Sequence, residues 1–336
     1  MLLNTSRIMK SFQILNSLRH PNGLFSASRQ AVSTGYDKAW IRDNIYAAIG
    51  MEAFDPLLAV RTYHALLDVL LKHESKIDWA IKAKPKYPYQ YIHARYDAHT
   101  MNEVWDEWGN KQNDAIGALL FKIADLMDRG LMMLRDENDL RIIQKLVLYL
   151  ASVEYWHDKD NGMWEENEEV HASSVGACVA GLIRISAYVN VPQWLIEKGR
   201  KKLNQLLPRE SETKDADLAL LSLIYPYDIV TNKQREQILK NTEEKLLRNR
   251  GLIRYAGDKY YDRDGEAEWC FGLPWLAVIY KGMGNMAKYR FYMQKTLDAM
   301  NENDELPELY FANSDEHNEN TPLGWAQAMF LVAVSQ

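Results

Sequence analysis

The feature that most constrains the fold is a recurring arrangement of polar loops and apolar helical segments. Loops rich in Trp, Arg and acidic residues recur along the chain, and most of them precede a helical segment that is more apolar than the one after it. These loops occupy residues 36–44, 105–114, 164–174, 215–217, 254–268 and 308–321. Each step contains one helical hairpin, so the sequence predicts a repeat architecture without a repeated sequence.

Apolar residues recur with helical periodicity through most of the chain, and strand signals are scarce. Gly and Pro residues separate the periodic segments. The predicted helices cover residues 45–71, 115–127, 140–153, 175–188, 193–207, 218–224, 234–247, 269–280, 286–300 and 323–334. The sequence therefore predicts an all-α chain of roughly a dozen helices.

Six hairpins that close in a ring would place the more apolar helices inside and all the polar loops at one end. This arrangement is an (α/α)6 barrel with a single pocket, and it is the fold that we expect. An open solenoid of hairpins is the alternative, and its loops would line a groove instead. No shift in composition marks a second domain, so we expect residues 1–336 to form a single domain.

The charge distribution argues against nucleic acid as a partner. The net charge is −6 and no basic block stands out, whereas phosphate binding needs a basic face. Basic and aromatic residues interleave only where Lys82–Lys86 run into Tyr87, Tyr89 and Tyr91. We expect this segment to be a surface loop whose tyrosines pack inward.

The two cysteines, Cys178 and Cys270, lie in apolar helical patterns, which is typical of buried thiols in a reducing compartment. Residues 1–18 mix charged and polar side chains with apolar ones, so we expect no signal peptide. No apolar run approaches the length of a membrane span. These features predict a soluble, cytoplasmic protein. The spacing of His93 and His99 matches no metal-ligand pattern.

The stretch from Asn161 to Gly176 combines a turn, an aromatic residue and carboxylates at the start of an apolar helix. Trp164 precedes Glu165 and Glu166. An aromatic floor beside a carboxyl group is suited to a sugar ring, and burial next to a like charge can keep such a group protonated. The alternative is a solvated acidic loop with favourable charge at a helix N-terminus.

Two further loops carry polar groups suited to sugar binding. Arg42 and Asp43 follow Trp40 and would present donors and an acceptor side by side, as vicinal hydroxyls require. A simple salt bridge at the helix start is the alternative. Glu308 is a carboxylate among apolar neighbours, where its pKa and orientation could be controlled, although it could also be a cap or a surface charge.

Together these stretches resemble glycoside hydrolase family 15, the glucoamylase family, and most closely the glucoamylase-like domain of the phosphorylase kinase α and β subunits. The resemblance extends in the expected order from about residue 23 to the end of the chain. Its motifs are residues 38–44, Trp108 and Gly109 with Gln112 and Asp114, 162–165 with 172–176, 254–255, 307–310 and 321–328.

The resemblance implies a role for each matching residue. Glu165 matches the general acid of the family and Glu308 the general base. Trp108 matches the aromatic residue that closes over the neighbouring sugar, and Glu166 a supporting carboxylate. The residues that match substrate-holding positions are Trp40, Arg42, Asp43 and Arg254, with Trp164 directly before the acid.

The same resemblance implies the reaction. Glu165 would protonate the glycosidic oxygen while Glu308 activates a water on the opposite face of the sugar, with the carboxyl groups about 6.5–9.5 Å apart. The expected function is that of an exo-acting inverting α-glucosidase, which releases β-glucose from α-gluco-oligosaccharides and needs no metal or organic cofactor. The alternative is a non-catalytic carbohydrate-binding or regulatory domain, as in the kinase subunits. The linkage preference and the oligomeric state stay open.

Overall fold

The computed structural model describes residues 5–29, 34–105 and 108–335; Asp106 and Glu107 of the second polar loop lie outside these ranges. The α-helices in these ranges are α1 (Thr5–Ser17), α2 (Ile41–Glu52), α3 (Pro56–Lys72), α4 (Glu74–Lys82), α5 (Asn113–Asp128), α6 (Glu137–Val153), α7 (Ala172–Ile185), α8 (Gln193–Leu206), α9 (Asn232–Asn241), α10 (Gly272–Gly282), α11 (Met286–Asp298) and α12 (Gly324–Ser335).

Short elements complete the structure. Pro88–Gln90 and Leu218–Leu223 form 3₁₀ helices, and Thr242–Leu246 forms one π-helical turn after α9. The strands have two residues each and form two antiparallel pairs. Strand β1 (Ala39–Trp40) pairs with β2 (Arg95–Tyr96), and β3 (Glu268–Trp269) pairs with β4 (Leu309–Tyr310).

The inner helices form a closed ring. Each contacts the next in the order α2, α5, α7, the 3₁₀ helix of residues 218–223, α10 and α12, and α12 returns to α2. Helices α1, α3, α8, α9 and α11 each pack against one inner helix, and α6 packs against α4 and α5. The ring confirms the predicted (α/α)6 barrel and excludes an open solenoid, whose two ends would not meet.

Burial explains why the inner segments are so apolar. Every residue of α2 is buried, whereas the outer helix α8 buries a single stripe. A helix surrounded by other helices needs an apolar surface on all sides, while an outer helix needs only one apolar face. The more apolar helical segments therefore belong to the inner ring, and the less apolar ones belong to the outer layer.

Glycine allows a close contact between two helices of the ring. A Cβ atom on Gly117 of α5 would lie 2.4 Å from the backbone of Ala177 in α7, and one on Gly181 would lie 2.3 Å from the Gly117 carbonyl oxygen. The two backbones therefore touch without intervening side chains. This contact brings the loops before α5 and α7 together at one end of the barrel.

The structure corrects some details of the sequence prediction. The single helix predicted over 45–71 is two helices, since the Asp55 side chain accepts hydrogen bonds from Leu57 and Leu58 and starts α3 at Pro56. The prediction missed α1 and α4. Residues 218–223 are 3₁₀ rather than α-helical.

The tyrosines of the basic-aromatic loop do not all pack inward. Tyr91 is buried as predicted, but Tyr87 and Tyr89 are 57% and 58% exposed, so the prediction is wrong for these two residues. Cys178 and Cys270 are free and buried. No helix in the described ranges could cross a bilayer, and no three His, Cys, Asp or Glu side chains there are grouped to hold a metal ion.

Candidate active site

The polar loops meet around one cavity of about 170 Å³ at an end of the barrel. All the site residues that were predicted from the sequence line it. They are Trp40, Arg42, Asp43, Trp108, Trp164, Glu165, Glu166, Arg254 and Glu308. The ring closure explains this result, because residues from distant hairpins share the space above the inner helices.

Glu165 lies in the loop before α7, with its backbone in the left-handed region at φ 62°. Its side chain is only 6% exposed. Gln112 donates from Nε2 to its Oε1 at 2.8 Å, and an Arg42 guanidinium nitrogen lies 3.8 Å from the same oxygen. Burial raises the pKa of Glu165 to about 7, since the opposing effect of Arg42 is smaller and the Asp43 charge adds to the shift.

Arg42, in the first turn of α2, links this helix to the loops before α5 and α7. It donates from Nη1 to Gln112 Oε1 at 3.1 Å and to the carbonyl oxygen of Met163, and from Nη2 to Asp43 Oδ2 at 3.1 Å. Gln112 thus accepts from Arg42 and donates to Glu165, so one amide relays the position of the guanidinium to the carboxyl group. Burial raises the pKa of Asp43, and Arg42 opposes that shift.

Glu308 is positioned by the second strand pair. Its carbonyl oxygen accepts from the backbone N–H of Cys270 at 3.0 Å, and its own N–H donates to the Asn320 carbonyl oxygen at 3.1 Å. The side chain is fully buried. Asn318 and Asn320 both donate from Nδ2 to its Oε2, the latter at 2.7 Å. The backbone and one carboxyl oxygen are therefore fixed, and both hold the group in the cavity wall.

The other oxygen of Glu308 is free to act on a ligand. Within the described ranges, Oε1 is buried and has no hydrogen bond of normal geometry. Burial raises the pKa of Glu308 to about 7, although hydrogen bonding by Tyr36, Asn320 and Asn318 favours the charged form. An unpaired buried carboxyl oxygen is costly in a protein that does not use it.

Glu166 is held by charges rather than exposed as a surface group. Its Oε1 accepts from Arg254 at 2.7 Å, and its Oε2 accepts from Lys214 at 3.1 Å and from the Tyr255 hydroxyl. Arg254 also forms a fork with Asp258, at 2.7 and 2.6 Å. Such bidentate, charge-assisted contacts fix both the guanidinium and the carboxylate at the cavity wall.

Aromatic rings form the rest of the wall. Trp164 donates from Nε1 to the buried Asp217 at 2.8 Å, which fixes the indole ring. Its ring lies 6.2 Å from Trp325, which stacks on Phe271 with centroids 4.8 Å apart. Trp269 lies 4.6 Å below the Arg254 guanidinium. Flat apolar faces thus alternate with charged groups around the cavity, which suits a ligand with both apolar faces and polar edges.

Two tryptophans form one edge of the cavity, and an arginine lies against both of them. The guanidinium of Arg95 lies 5.2 Å from the rings of both Trp40 and Trp108. Trp108 is 38% exposed and belongs to the cavity mouth. Gly109 follows it because a Cβ atom there would lie 2.8 Å from the Glu165 carbonyl oxygen. The Trp108 loop therefore packs directly on the loop that carries Glu165.

Sequence reasoning did not single out several residues that line the same cavity. They are Tyr36, Tyr260, Trp269, Phe271 and Trp325. Trp325 falls in a motif that carried the family resemblance, and Tyr36 and Tyr260 fall in polar loops, so a signal was present for these three. Phe271 lies just before an apolar helix and cannot be distinguished there from a core residue.

The arrangement defines a class of protein. A closed (α/α)6 barrel with two buried, titratable carboxyl groups and aromatic walls at one end has a glycosidase fold. The chain belongs to the family described as "Glycosyl hydrolases family 15", whose sequence profile matches residues 9–333.

Solved structures share this fold along nearly the whole chain. A wild-type glycosidase superimposes with a TM-score of 0.81 at 18% sequence identity, covering 99% of this chain and 98% of that one. A bacterial glucoamylase complexed with acarbose superimposes with a TM-score of 0.74 at 16% identity, covering 98% of this chain and 55% of that one. At these identities the likeness establishes the fold alone.

Sequence relatives carry a different description. A probable phosphorylase b kinase regulatory subunit alpha from Caenorhabditis elegans is 28% identical over 66% of this chain and 21% of its own length. The skeletal muscle isoform of this subunit from Rattus norvegicus is 25% identical over 97% of this chain and 32% of its own length. The chain thus matches a third or less of these relatives, which are named as regulatory subunits.

Proposed function

We propose that this protein is an exo-acting inverting α-glucosidase that releases β-glucose from the non-reducing ends of α-gluco-oligosaccharides. The observation that carries this proposal is the presence of two buried carboxyl groups, Glu165 and Glu308, in the wall of one cavity. Each has a pKa raised to about 7, so both protonation states are accessible near neutral pH.

The two carboxyl groups divide the chemistry. Glu165 is the proposed general acid, because its raised pKa keeps a proton available for the glycosidic oxygen. Glu308 is the proposed general base, since its free Oε1 can accept a proton from an attacking water while Asn318 and Asn320 hold the other oxygen. Direct attack by water on the face opposite the leaving group inverts the anomeric carbon.

Other cavity residues are proposed to hold the substrate. Arg42 and Asp43 would bind hydroxyl groups of the terminal glucose, with Trp40 and Trp164 against its apolar faces. Arg254, fixed by Asp258 and Glu166, would bind a further hydroxyl group. Trp108 would cover the next sugar, which agrees with its exposed position at the mouth.

The size of the cavity supports action at chain ends. Its volume of about 170 Å³ corresponds to space for on the order of ten waters, which suits one sugar ring better than an internal stretch of polymer. The ring of Trp325 and its neighbour Phe271 line the same cavity, and both are buried. A pocket of this kind favours release of one terminal unit at a time.

A non-catalytic carbohydrate-binding or regulatory domain is the second candidate, and the names of the kinase regulatory subunits favour it. It would use the same cavity without turnover. The retention of both carboxyl groups, one with an unpaired buried oxygen, favours the enzyme, because a binding site alone has no use for that cost.

The proposal extends to organisation and location. We propose a single domain, which the closure of the inner ring by α12 and α2 supports. A cytoplasmic location is proposed from the two cysteines, which are free and buried. No metal or organic cofactor takes part in the proposed reaction, since two carboxyl groups suffice for it.

Proton NMR of the protein with maltose, maltotriose, isomaltose and trehalose tests the function. The anomeric signals are followed in the first minutes, before mutarotation. We expect β-glucose from at least one sugar, which would also identify the linkage. Early α-glucose would contradict the roles of Glu165 and Glu308. Line broadening of a sugar without any glucose would favour the regulatory candidate.

A further inference from the structure

Two tyrosine rings project from the turn of residues 83–91 into solvent. Tyr87 and Tyr89 are 57% and 58% exposed. Their ring planes are nearly parallel, with an angle of 2° and centroids 5.8 Å apart. Single exposed aromatic residues are common, whereas a stacked pair of exposed rings forms a contiguous apolar surface, and such a surface can mark a binding site.

The turn that carries these rings is held in one conformation. The side-chain oxygen of Gln90 accepts from the backbone N–H groups of Lys86 at 2.7 Å and Tyr87 at 3.0 Å. Pro88 restricts the backbone between the two tyrosines. A fixed backbone lowers the entropy lost when a ligand settles on the rings, so the pair is organised before binding.

The turn is also joined to the mouth of the cavity. Asn110 donates from Nδ2 to the Pro88 carbonyl oxygen at 2.9 Å. Asn110 follows Trp108 by two residues, a span of at most about 7 Å. A narrow crevice bordered by Trp108, Asn110 and Glu165 adjoins the cavity on this side. The turn that carries the tyrosine pair is therefore joined to the loop of Trp108, which lines the mouth of the cavity.

We propose that Tyr87 and Tyr89 form a second sugar-binding platform for the part of an α-linked gluco-oligosaccharide that extends beyond the pocket. This inference rests on the proposed function, because it assumes that the pocket holds the non-reducing end of the same chain. Ring faces of the tyrosines pack on sugar C–H groups, and their hydroxyl groups reach the sugar hydroxyls. Substrates too short to reach the turn gain nothing from it.

The dimensions of the platform favour a sugar chain over a protein. Two aromatic side chains bury about 150–250 Å² each, whereas a standard protein interface buries about 800 Å² on each partner. A few sugar units need no more than the two rings and the adjoining mouth. The nearby Lys84 is already paired with Glu154, so the turn does not offer that charge to an acidic partner.

The test compares short and long substrates in the full-length protein. The double variant Tyr87→Ala/Tyr89→Ala is assayed with maltose and maltoheptaose, beside Phe291→Ala, which removes an exposed aromatic ring from outer helix α11. We expect KM for maltoheptaose to rise by about two- to tenfold in the double variant, with kcat and all maltose constants unchanged. The Phe291→Ala variant should match the wild type on both sugars.

Binding measurements separate failure of this inference from failure of the proposed function. If the wild type releases no glucose, calorimetry with the same two sugars replaces the assay. Tighter binding of maltoheptaose than of maltose, lost in the double variant and kept in Tyr87→Phe/Tyr89→Phe, supports the platform without turnover. An unchanged preference in the double variant, an equal loss for both sugars, or no binding by the wild type would each overturn it.

Discussion

The two carboxyl groups of the cavity reach a similar pKa in different surroundings. Glu165 lies in a loop with Arg42 nearby, and it is buried against charged neighbours. Glu308 directly precedes strand β4, and its Oε2 accepts from the neutral amides of Asn318 and Asn320. The comparison indicates that burial raises both pKa values, and that the shift is opposed mainly by the charge of Arg42 at Glu165 and by hydrogen bonds from neutral groups at Glu308.

The strongest test of this comparison is to remove each carboxyl group in turn. Glu165→Gln and Glu308→Gln should each lower kcat on maltose by about 10²–10⁴-fold, since each removes one proton transfer. The two variants should differ on α-glucosyl fluoride, whose leaving group needs little protonation. Activity on the fluoride should return for Glu165→Gln alone. Rescue of Glu308→Gln instead would reverse the assignment, and rescue of both would remove it.

The pH dependence of the free energy of unfolding should reveal the cost of burying the charged form of Glu308. The pKa of this group is about 7 in the folded state against an ordinary value of 4.5, so the folded protein binds the proton more tightly. The contribution of this proton to the stability of the fold is fully present below about pH 4.5 and is lost as pH rises through 7. The free energy of unfolding of Glu308→Gln should therefore exceed that of the wild type by up to about 3 kcal/mol at pH 8 and by little at pH 4.

Chemical denaturation at the two pH values measures this difference. Glu302→Gln is a suitable control, because that residue is exposed. An equal gain at both pH values would mean that the effect comes from packing and not from the proton.

Arg42→Ala should weaken substrate binding and change the pKa of the proposed acid, Glu165, while the proposed base, Glu308, is unaffected. Loss of a buried charge-assisted contact to substrate should lower kcat/KM by about 10–100-fold. Arg42 lowers the pKa of Glu165, so its removal should also move the high-pH limb of the activity profile upward. Arg141→Ala is the control, because this arginine pairs with Glu74 on the outer surface. A shift of the low-pH limb instead would show that Arg42 acts on the base.

Asn320→Asp should change the pKa of the proposed base, Glu308, and we expect this effect on activity to be the smallest of the four. A negative charge in place of an amide donor raises the pKa of Glu308, which must be ionised to act as the base. The low-pH limb of kcat/KM should therefore move up by about one pH unit, while the high-pH limb set by Glu165 stays in place. Movement of both limbs together would mean that the two carboxyl groups titrate as one system.

Much of the fold was accessible from the sequence because burial leaves a compositional trace. Inner segments such as 45–51 are apolar or small on all sides, and the loops before them concentrate Trp, Arg and carboxylates. The predicted ring follows from these two signals. Element boundaries were less accessible, since Asp55 and Pro56 divide a continuous apolar pattern that suggests one helix.

The rest of the site could not be read from the chain, because its meaning depends on closure. Phe271 looks like a core residue until the ring places it in the cavity wall. Asn318 and Asn320 look like ordinary loop residues, and only the fold directs their amides to Glu308. Tyr87 and Tyr89 illustrate the opposite error, since an aromatic-rich segment suggested packing where the structure leaves two rings exposed.

The left-handed backbone of Glu165 sets the proposed function against stability at a single residue. A residue other than glycine at φ 62° costs about 1 kcal/mol or more, and burial of its carboxyl group adds to that cost. Glycine would relieve both costs, but the loop would then have no carboxyl group to donate a proton. If the chain were released from the proposed demand for acid catalysis, substitution by glycine at this position would favour the folded state. A glutamate there is therefore a residue that selection for folding alone would tend to discard.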